Sequence, residues 1–233
     1  MYKRVLIKIS GEALAGEKHT GFDFDFVTRV CETVRACTEE GVQVGIVIGG
    51  GNFWRGVKDG AGKVERVSAD RMGMLATAMN CLAVADVFRQ LGADARVQTA
   101  VDIQGVGERY STDKSIEYLE SGKVVLFACG TGCPFFSTDT AAVLRALEIR
   151  ADAILLAKNI DGVYSDDPRK NPEAVRFDEI SYEDVLARRL AVMDTAATSL
   201  AMDNRIPVEV FALAEPENIL RVLHGEKIGT SVH

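Results

Sequence analysis

Short apolar runs of five to seven residues recur along the chain, separated by longer stretches whose apolar positions repeat every three or four residues. The runs Arg4–Ile9, Val42–Ile48, Ala95–Ala100, Lys123–Cys129, Ala153–Ala157 and Val208–Ala212 are rich in β-branched and aliphatic residues and predict strands. Between the first two, Val27, Val30, Cys31, Val34 and Thr38 fall on one face of a helix. The stretch Asp70–Leu91 is apolar on nearly every side, which predicts a helix buried in the core or in a subunit interface. Further helices are predicted over Thr112–Ser121, Thr138–Ile149, Tyr182–Arg188, Met193–Asn204 and Pro216–Leu223. Strands that alternate with helices define an α/β chain, a mainly parallel sheet with helices on both faces. The segment Asp161–Pro172 (DGVYSDDPRKNP) has the densest turn chemistry, and composition leaves open whether it joins two lobes or forms a surface loop.

The composition of the 233 residues is ordinary for a globular chain, and the apolar share suffices for a sizeable core. The net charge of −7 argues against non-specific binding of a nucleic-acid polymer or an anionic membrane. It leaves room for a small anion held by a local cation cluster. The five cysteines are an odd number without C-x-x-C or zinc-ligand spacing, which predicts free thiols in a reducing compartment. No secretory or transit pattern opens the chain, and no run approaches ~18 apolar residues. A cytoplasmic protein without a membrane span is therefore expected.

Candidate chemistry sits just after the strands, at the sheet edge where α/β folds bind ligands. In KISGEAL (Lys8–Leu14), alternation puts Val5, Ile7 and Ile9 on one side and Leu6, Lys8 and Ser10 on the other. An ammonium in an apolar strand needs an anion to offset desolvation. A bound ligand or an internal carboxylate would each serve. In GGGNFWRG (Gly49–Gly56), consecutive glycines suit either an anion-binding nest or a flexible turn, and Arg55 adds a planar donor fork. Neither G-x-x-x-x-G-K-[ST] nor G-x-G-x-x-G occurs.

The third segment, GTGCPFFSTD (Gly130–Asp139), leads from a strand into a helix, with Ser137 or Thr138 as its natural N-cap. The helix start favours a phosphate. Phe135 and Phe136 suit either a wall for a planar base or a plug that holds the loop down. Asp139 complements the helix dipole by itself; beside a phosphate it requires an intervening Mg²⁺ or lysine. In AKNIDGVYSDDP (Ala157–Pro168), Asn159, Tyr164 and Asp167 suit a base or ribose, or simply a surface turn. The histidines (His19, His224, His233) fall within none of these segments, two of them near the C-terminus, and neither G-x-S-x-G nor H-E-x-x-H is present. That disfavours acyl transfer and zinc hydrolysis. It is compatible with phosphoryl transfer to an ionised phosphate, which needs no general base.

Taken in order, KISGEAL, VIGGGNFWRG, DRMGMLATAMN, GTGCPFFSTD, NIDGVYSDDP and VMDTAA resemble the motifs of bacterial-type UMP kinases in the amino-acid kinase superfamily, over nearly the whole chain. The resemblance implies a three-layer α/β/α sandwich forming a single domain over residues 1–233, with an ATP-binding and a UMP-binding half. It also implies a homohexamer, and Mg²⁺ accompanying ATP. By position, Lys8, Ile9, Ser10, Gly11, Gly51 and Arg55 resemble the ATP-phosphate segments, and Asn159, Tyr164 and Asp167 the adenine and ribose side. Gly50 and Asp70 resemble UMP contacts. Thr131, Gly132, Cys133, Pro134, Phe135, Phe136, Ser137 and Thr138 resemble the loop around the uracil and its phosphate. Cys133 stands where an asparagine is expected. Lys8 and Asp139, with Arg55, resemble the catalytic set. Gly16, Glu17, Lys18, His19, Thr20 and Gly21 match a stretch tied to GTP activation and UTP inhibition. The competing expectations are a sister kinase of an amino-acid carboxylate or carbamate, for which a nucleotide-reading loop is superfluous, and a non-catalytic nucleotide binder, which has no need of Lys8, Arg55 and Asp139 together.

Overall fold

The computed structural model describes residues 2–55 and 62–233. Its main sheet has nine strands: β1 (Arg4–Ile9), β2 (Gln43–Ile48), β3 (Ala95–Thr99), β4 (Glu108–Arg109), β5 (Val124–Ala128), β6 (Ala153–Lys158), β9 (Glu179–Ile180), β10 (Val208–Ala212) and β11 (Thr230–Val232). Their spatial order is β4-β3-β5-β2-β1-β6-β10-β11-β9, and all neighbours are parallel except β10 and β11. A separate antiparallel pair, β7 (Val163–Tyr164) and β8 (Arg176–Phe177), comes from the turn-rich segment. The sheet is thus mainly parallel, as the alternating pattern predicts.

Eight helices occur among the described residues: α1 (Gly11–Leu14), α2 (Phe24–Glu39), α3 (Arg66–Gln90), α4 (Thr112–Glu120), α5 (Thr138–Glu148), α6 (Tyr182–Ala187), α7 (Thr195–Asn204) and α8 (Asn218–Leu223). Strand alternation sorts the core into two layers. Val5, Ile7 and Ile9 of β1 pack with α2, α3 and α8 on one face. Leu6, Val47, Phe127 and Leu156 pack with α4, α5, α6 and α7 on the other. Each such side chain contributes about 1.5–3 kcal/mol on burial. A one-residue slip would move every one of them to the wrong layer, so the register is strongly specified.

The six predicted strands are all present, with ends displaced by at most a residue. The long helix departs more: it begins at Arg66 rather than Asp70. An Arg66–Asp70 ion pair at 2.8 Å spans one turn, and Trp54 Nε1 donates to Ala69 O at 2.8 Å, which docks the added turn. By length and hydropathy α3 also qualifies as a bilayer span, yet 56% of that stretch is buried inside the fold, as in a core helix. The short helix α1 and the edge strands are too brief to leave a periodic signal in the sequence.

Candidate active site

Parallel pairing brings the carboxyl ends of the central strands to one rim. Lys8 lies opposite Val47 of β2 and Leu156 of β6, and Val47 lies opposite Phe127 of β5. The loops after these strands are therefore neighbours although they are far apart in sequence. The chain passes from β1 to β2 on one side, while β6 and β10 extend the sheet on the other, so β1 and β6 flank the topological switch point.

Two cavities open on this rim. The larger, of about 650 Å³, is lined by Lys8, Ser10, Lys158, Asn159, Tyr164 and Asp167, together with Pro168 and the Arg188–Ala191 segment. The smaller, of about 130 Å³, is lined by Gly50, Trp54, Asp70, Gly73, Thr77, Gly130, Thr131, Cys133, Phe136, Ser137 and Thr138. A cleft of about 310 Å³ beside β10, around Glu209 and Glu226, exceeds the smaller rim cavity in size but holds none of the predicted site residues. Chemistry rather than size selects the two rim cavities.

Lys8 and Asp139 stand at the rim with Nζ and Oδ1 2.7 Å apart. Both are mostly shielded from solvent. This is the partner that the strand pattern demanded for an ammonium among aliphatic residues. Oδ1 of Asp139 nonetheless makes no hydrogen bond of normal geometry, so the carboxylate keeps acceptor capacity. Lys158, which the sequence reading left unassigned, enters the same charge cluster. Its Nζ donates to Ala191 O at 3.1 Å and Val192 O at 2.5 Å. Burial pushes its pKa below the ordinary lysine value, Asp139 pulls it back up, and Lys8 adds to the lowering.

The start of α5 is held by side-chain caps. Ser137 caps it, accepting from the N–H groups of Asp139 and Thr140 at 3.0 and 3.2 Å. Asp194 caps α7, accepting from Ala197 N at 3.0 Å, and also accepts from Ser137 Oγ and from Thr140 Oγ1 at 3.2 Å. Asp194 is thus more than a helix-start carboxylate, since it joins two helix N-termini. Asp70 is held by Arg66 and by the N–H of Phe135 at 2.8 Å, and Arg66 lies over the Phe135 ring at 5.3 Å. This contact pins the glycine-proline loop to α3. Phe135 and Phe136 are 66% and 54% exposed, so neither ring is packed into the core.

Other predicted residues lie nearby without lining either cavity. Arg55 pairs with Glu12 at 3.1 Å and donates from Nε to Gly51 O at 3.3 Å. Ile9 is core; Gly11 and Gly51 form the floor between the first two glycine segments. A Cβ on Gly11 would fall 2.2 Å from Gly49 O, so only glycine fits there. Gly132, at φ +80°, and Pro134 shape their loop. Within the larger cavity, Tyr164 donates to Asp161 and Asp167 pairs with Arg169. Gly16–Lys18 form a 3₁₀ turn with His19 left-handed after it, and Thr20 and Gly21 bond to Asn52 O. Gly56, the last residue of the second motif, lies outside the described residues.

In this mainly parallel sandwich Lys8 lines the larger rim cavity, and its partner Asp139 follows Ser137 and Thr138, which line the smaller, an arrangement suited to a kinase of small metabolites. The chain belongs to the amino acid kinase family, whose sequence pattern matches residues 3–212. It is 52% identical over 232 residues to the uridylate kinase of Streptococcus thermophilus (strain ATCC BAA-491 / LMD-9), covering 99% of this chain and 95% of that one. Among solved structures, the UMP kinase of Bacillus anthracis superposes with a TM-score of 0.96 at 38% identity, covering 100% of this chain and 96% of that one. The UMP kinase of Ureaplasma parvum superposes with a TM-score of 0.94 at 34% identity, covering 100% and 99%.

Proposed function

We propose that this protein is a UMP kinase, transferring the γ-phosphate of ATP to UMP to give UDP and ADP in pyrimidine nucleotide synthesis. The observation that carries the reading is the Lys8–Asp139 pair standing between two cavities of different chemistry. Full-length similarity to uridylate kinases supports the same substrates. Residues 1–233 act as one domain with two halves. ATP occupies the larger cavity, its adenine and ribose toward Asn159, Tyr164 and Asp167, and its phosphates toward Lys8, Ser10, Gly11, Gly51 and Arg55. UMP occupies the smaller one, its phosphate at the capped start of α5 and its ribose on Asp70. The uracil extends past the cavity mouth onto the exposed rings of Phe135 and Phe136.

The acceptor phosphate is already ionised, so the residues position it and neutralise charge. Lys8 compensates the charge of the transferring group, and Asp139 orients Lys8. Lys158 adds a third charge at the same point. Among the described residues no group of three or more His, Cys, Asp and Glu is arranged to hold a metal. Mg²⁺ accompanying ATP would be held by the nucleotide's own phosphates, with Asp139 as the rim carboxylate able to face it, and would supply neutralisation of the phosphate oxygens.

The exposed stripe Met72, Leu75, Met79 and Leu82 on α3 supports a hexamer built from dimers, and five free cysteines support a cytoplasmic setting. Gly16–Gly21 is the candidate effector segment, for GTP as activator and UTP as inhibitor. The test is ADP release across UMP, CMP, dUMP and glutamate, with and without Mg²⁺, GTP and UTP. Release that requires UMP and Mg²⁺ is expected; release with glutamate, or none, overturns the reading. Light scattering on the same preparation is expected to report six copies, and a monomer would remove the assembly.

Cys133 provides an independent probe of the UMP cavity. It is exposed, whereas burial pushes the thiols of Cys31 and Cys37 up to about 12 and raises those of Cys81 and Cys129 as well. One thiol is expected to react rapidly with an aromatic disulfide reagent in the native protein, and UMP should slow it. Protection by ATP but not by UMP would exchange the two cavities.

A further inference from the structure

The glycine loop Gly49–Asn52 has all of its glycine carbonyls committed to the protein. Gly49 O accepts from Asn80 Nδ2 at 2.7 Å, Gly50 O from the N–H groups of Phe53 and Trp54 at 3.0 Å, and Gly51 O from Arg55 Nε at 3.3 Å. Meanwhile the N–H groups of Gly50, Gly51 and Asn52 meet no acceptor among the described residues. Successive carbonyls turned inward leave successive amides turned out, which is the arrangement that binds anions. What holds this polarity is the question.

The answer lies beneath the loop. Asn52 and Asn80 are 2% and 0% exposed and face each other as reciprocal amides. Asn52 Nδ2 donates to Asn80 Oδ1 at 2.9 Å, and Asn80 Nδ2 donates to Asn52 Oδ1 at 2.8 Å. The remaining bonds go outward from the pair, from Asn52 Nδ2 to Gly21 O at 2.8 Å and from Asn80 Nδ2 to Gly49 O. Each amide nitrogen thus uses both of its hydrogens. The backbone above is equally confined: a Cβ on Gly50 would lie 2.9 Å from Ala76 Cβ and from Gly73 O. Neither asparagine lines either of the two rim cavities. A buried amide pair is expensive unless fully bonded, and two leucines would fill such a space without that cost.

We infer that Asn52 and Asn80 form one positioning unit, which aims the Gly50–Asn52 amides at the phosphates of both nucleotides and anchors them to α3. The inference rests on the proposed reaction, in which this loop lies between the phosphates of ATP and the single phosphate of UMP. Asn80 reaches the phosphates only through Gly49, and Asn52 through its own backbone, so both act by holding geometry.

The decisive variant is Asn80→Asp, nearly isosteric, which turns a donor toward Gly49 O into a second acceptor. Because loop amides are worth most as charge shifts between the phosphates, kcat is expected to fall about 10–100-fold, more than either KM rises. The loss in kcat/KM should be shared by ATP and UMP. Asn80→Ser, which adds no charge, is expected to reproduce the pattern at smaller amplitude and serves if the aspartate variant does not fold. Kinetics within twofold of the parent for both substrates, or a loss confined to one of them, would overturn the inference. Parent enzyme and Lys8→Ala are measured alongside. If UMP-dependent turnover and its dependence on Lys8 hold while the Asn80 variants are neutral, the positioning claim alone falls.

Discussion

Replacing Lys8 by alanine is expected to lower kcat about 10³-fold while the KM for UMP changes severalfold at most. The ammonium sits in an aliphatic strand with one carboxylate 2.7 Å away, in a site largely closed to solvent. Its charge is worth more there than at a surface, because the surrounding dielectric is low. It is also worth more as negative charge redistributes over the transferring phosphoryl group than in the ground state, so the loss falls on kcat. The substitution leaves Asp139 without its cation, which adds a stability cost. Thermal melting therefore accompanies the steady-state measurement. A folded Lys8→Ala variant with parental turnover would remove the residue from catalysis and leave the ion pair as a structural contact.

The second large effect is expected from Asp70→Asn. Hydrogen bonds to an ionised carboxylate are worth about 1.5–3 kcal/mol, which corresponds to about a 10–100-fold rise in KM for UMP. Two losses combine. The ribose gives up a charged acceptor, and Arg66 and the N–H of Phe135 give up the carboxylate that pins their loop to α3. The KM for ATP should stay within about twofold, since Asp70 belongs to the smaller cavity only. Titrating each nucleotide at saturating concentrations of the other reads this directly. Equal weakening of both nucleotides would contradict the ribose assignment.

Much of this was legible in the sequence, for identifiable reasons. A central parallel strand buried on both faces reads as an almost unbroken aliphatic run, so β1, β2, β5, β6 and β10 stood out from their neighbours. Lys8 was conspicuous because a charge interrupts one of those runs. Ser137 was one of two natural caps for α5, and the structure selects it over Thr138. The edge strands β4 and β9, and β11 beside β9, run only two or three residues, too few for a local period to announce them. Lys158 escaped assignment because its meaning depends on β6 lying beside β1, which puts two lysines at one rim. Arg66 escaped because its helix starts a turn earlier than the apolar pattern does.

By itself, then, the order of apolar and polar residues determined the class of fold, the strands that form its centre, the glycine loops at their ends and the lysine that needed an anion. These are properties of hydrophobic periodicity, glycine conformation and the cost of a buried charge, all of which act locally along the chain. Only the tertiary structure decided which anion the lysine found, which loops share a cavity, and that Asn52 of one loop and Asn80 of a distant helix turn face to face. Those outcomes follow from strand order and register, and the free energy that selects them is the burial of both sheet faces at once, a quantity no single segment contains.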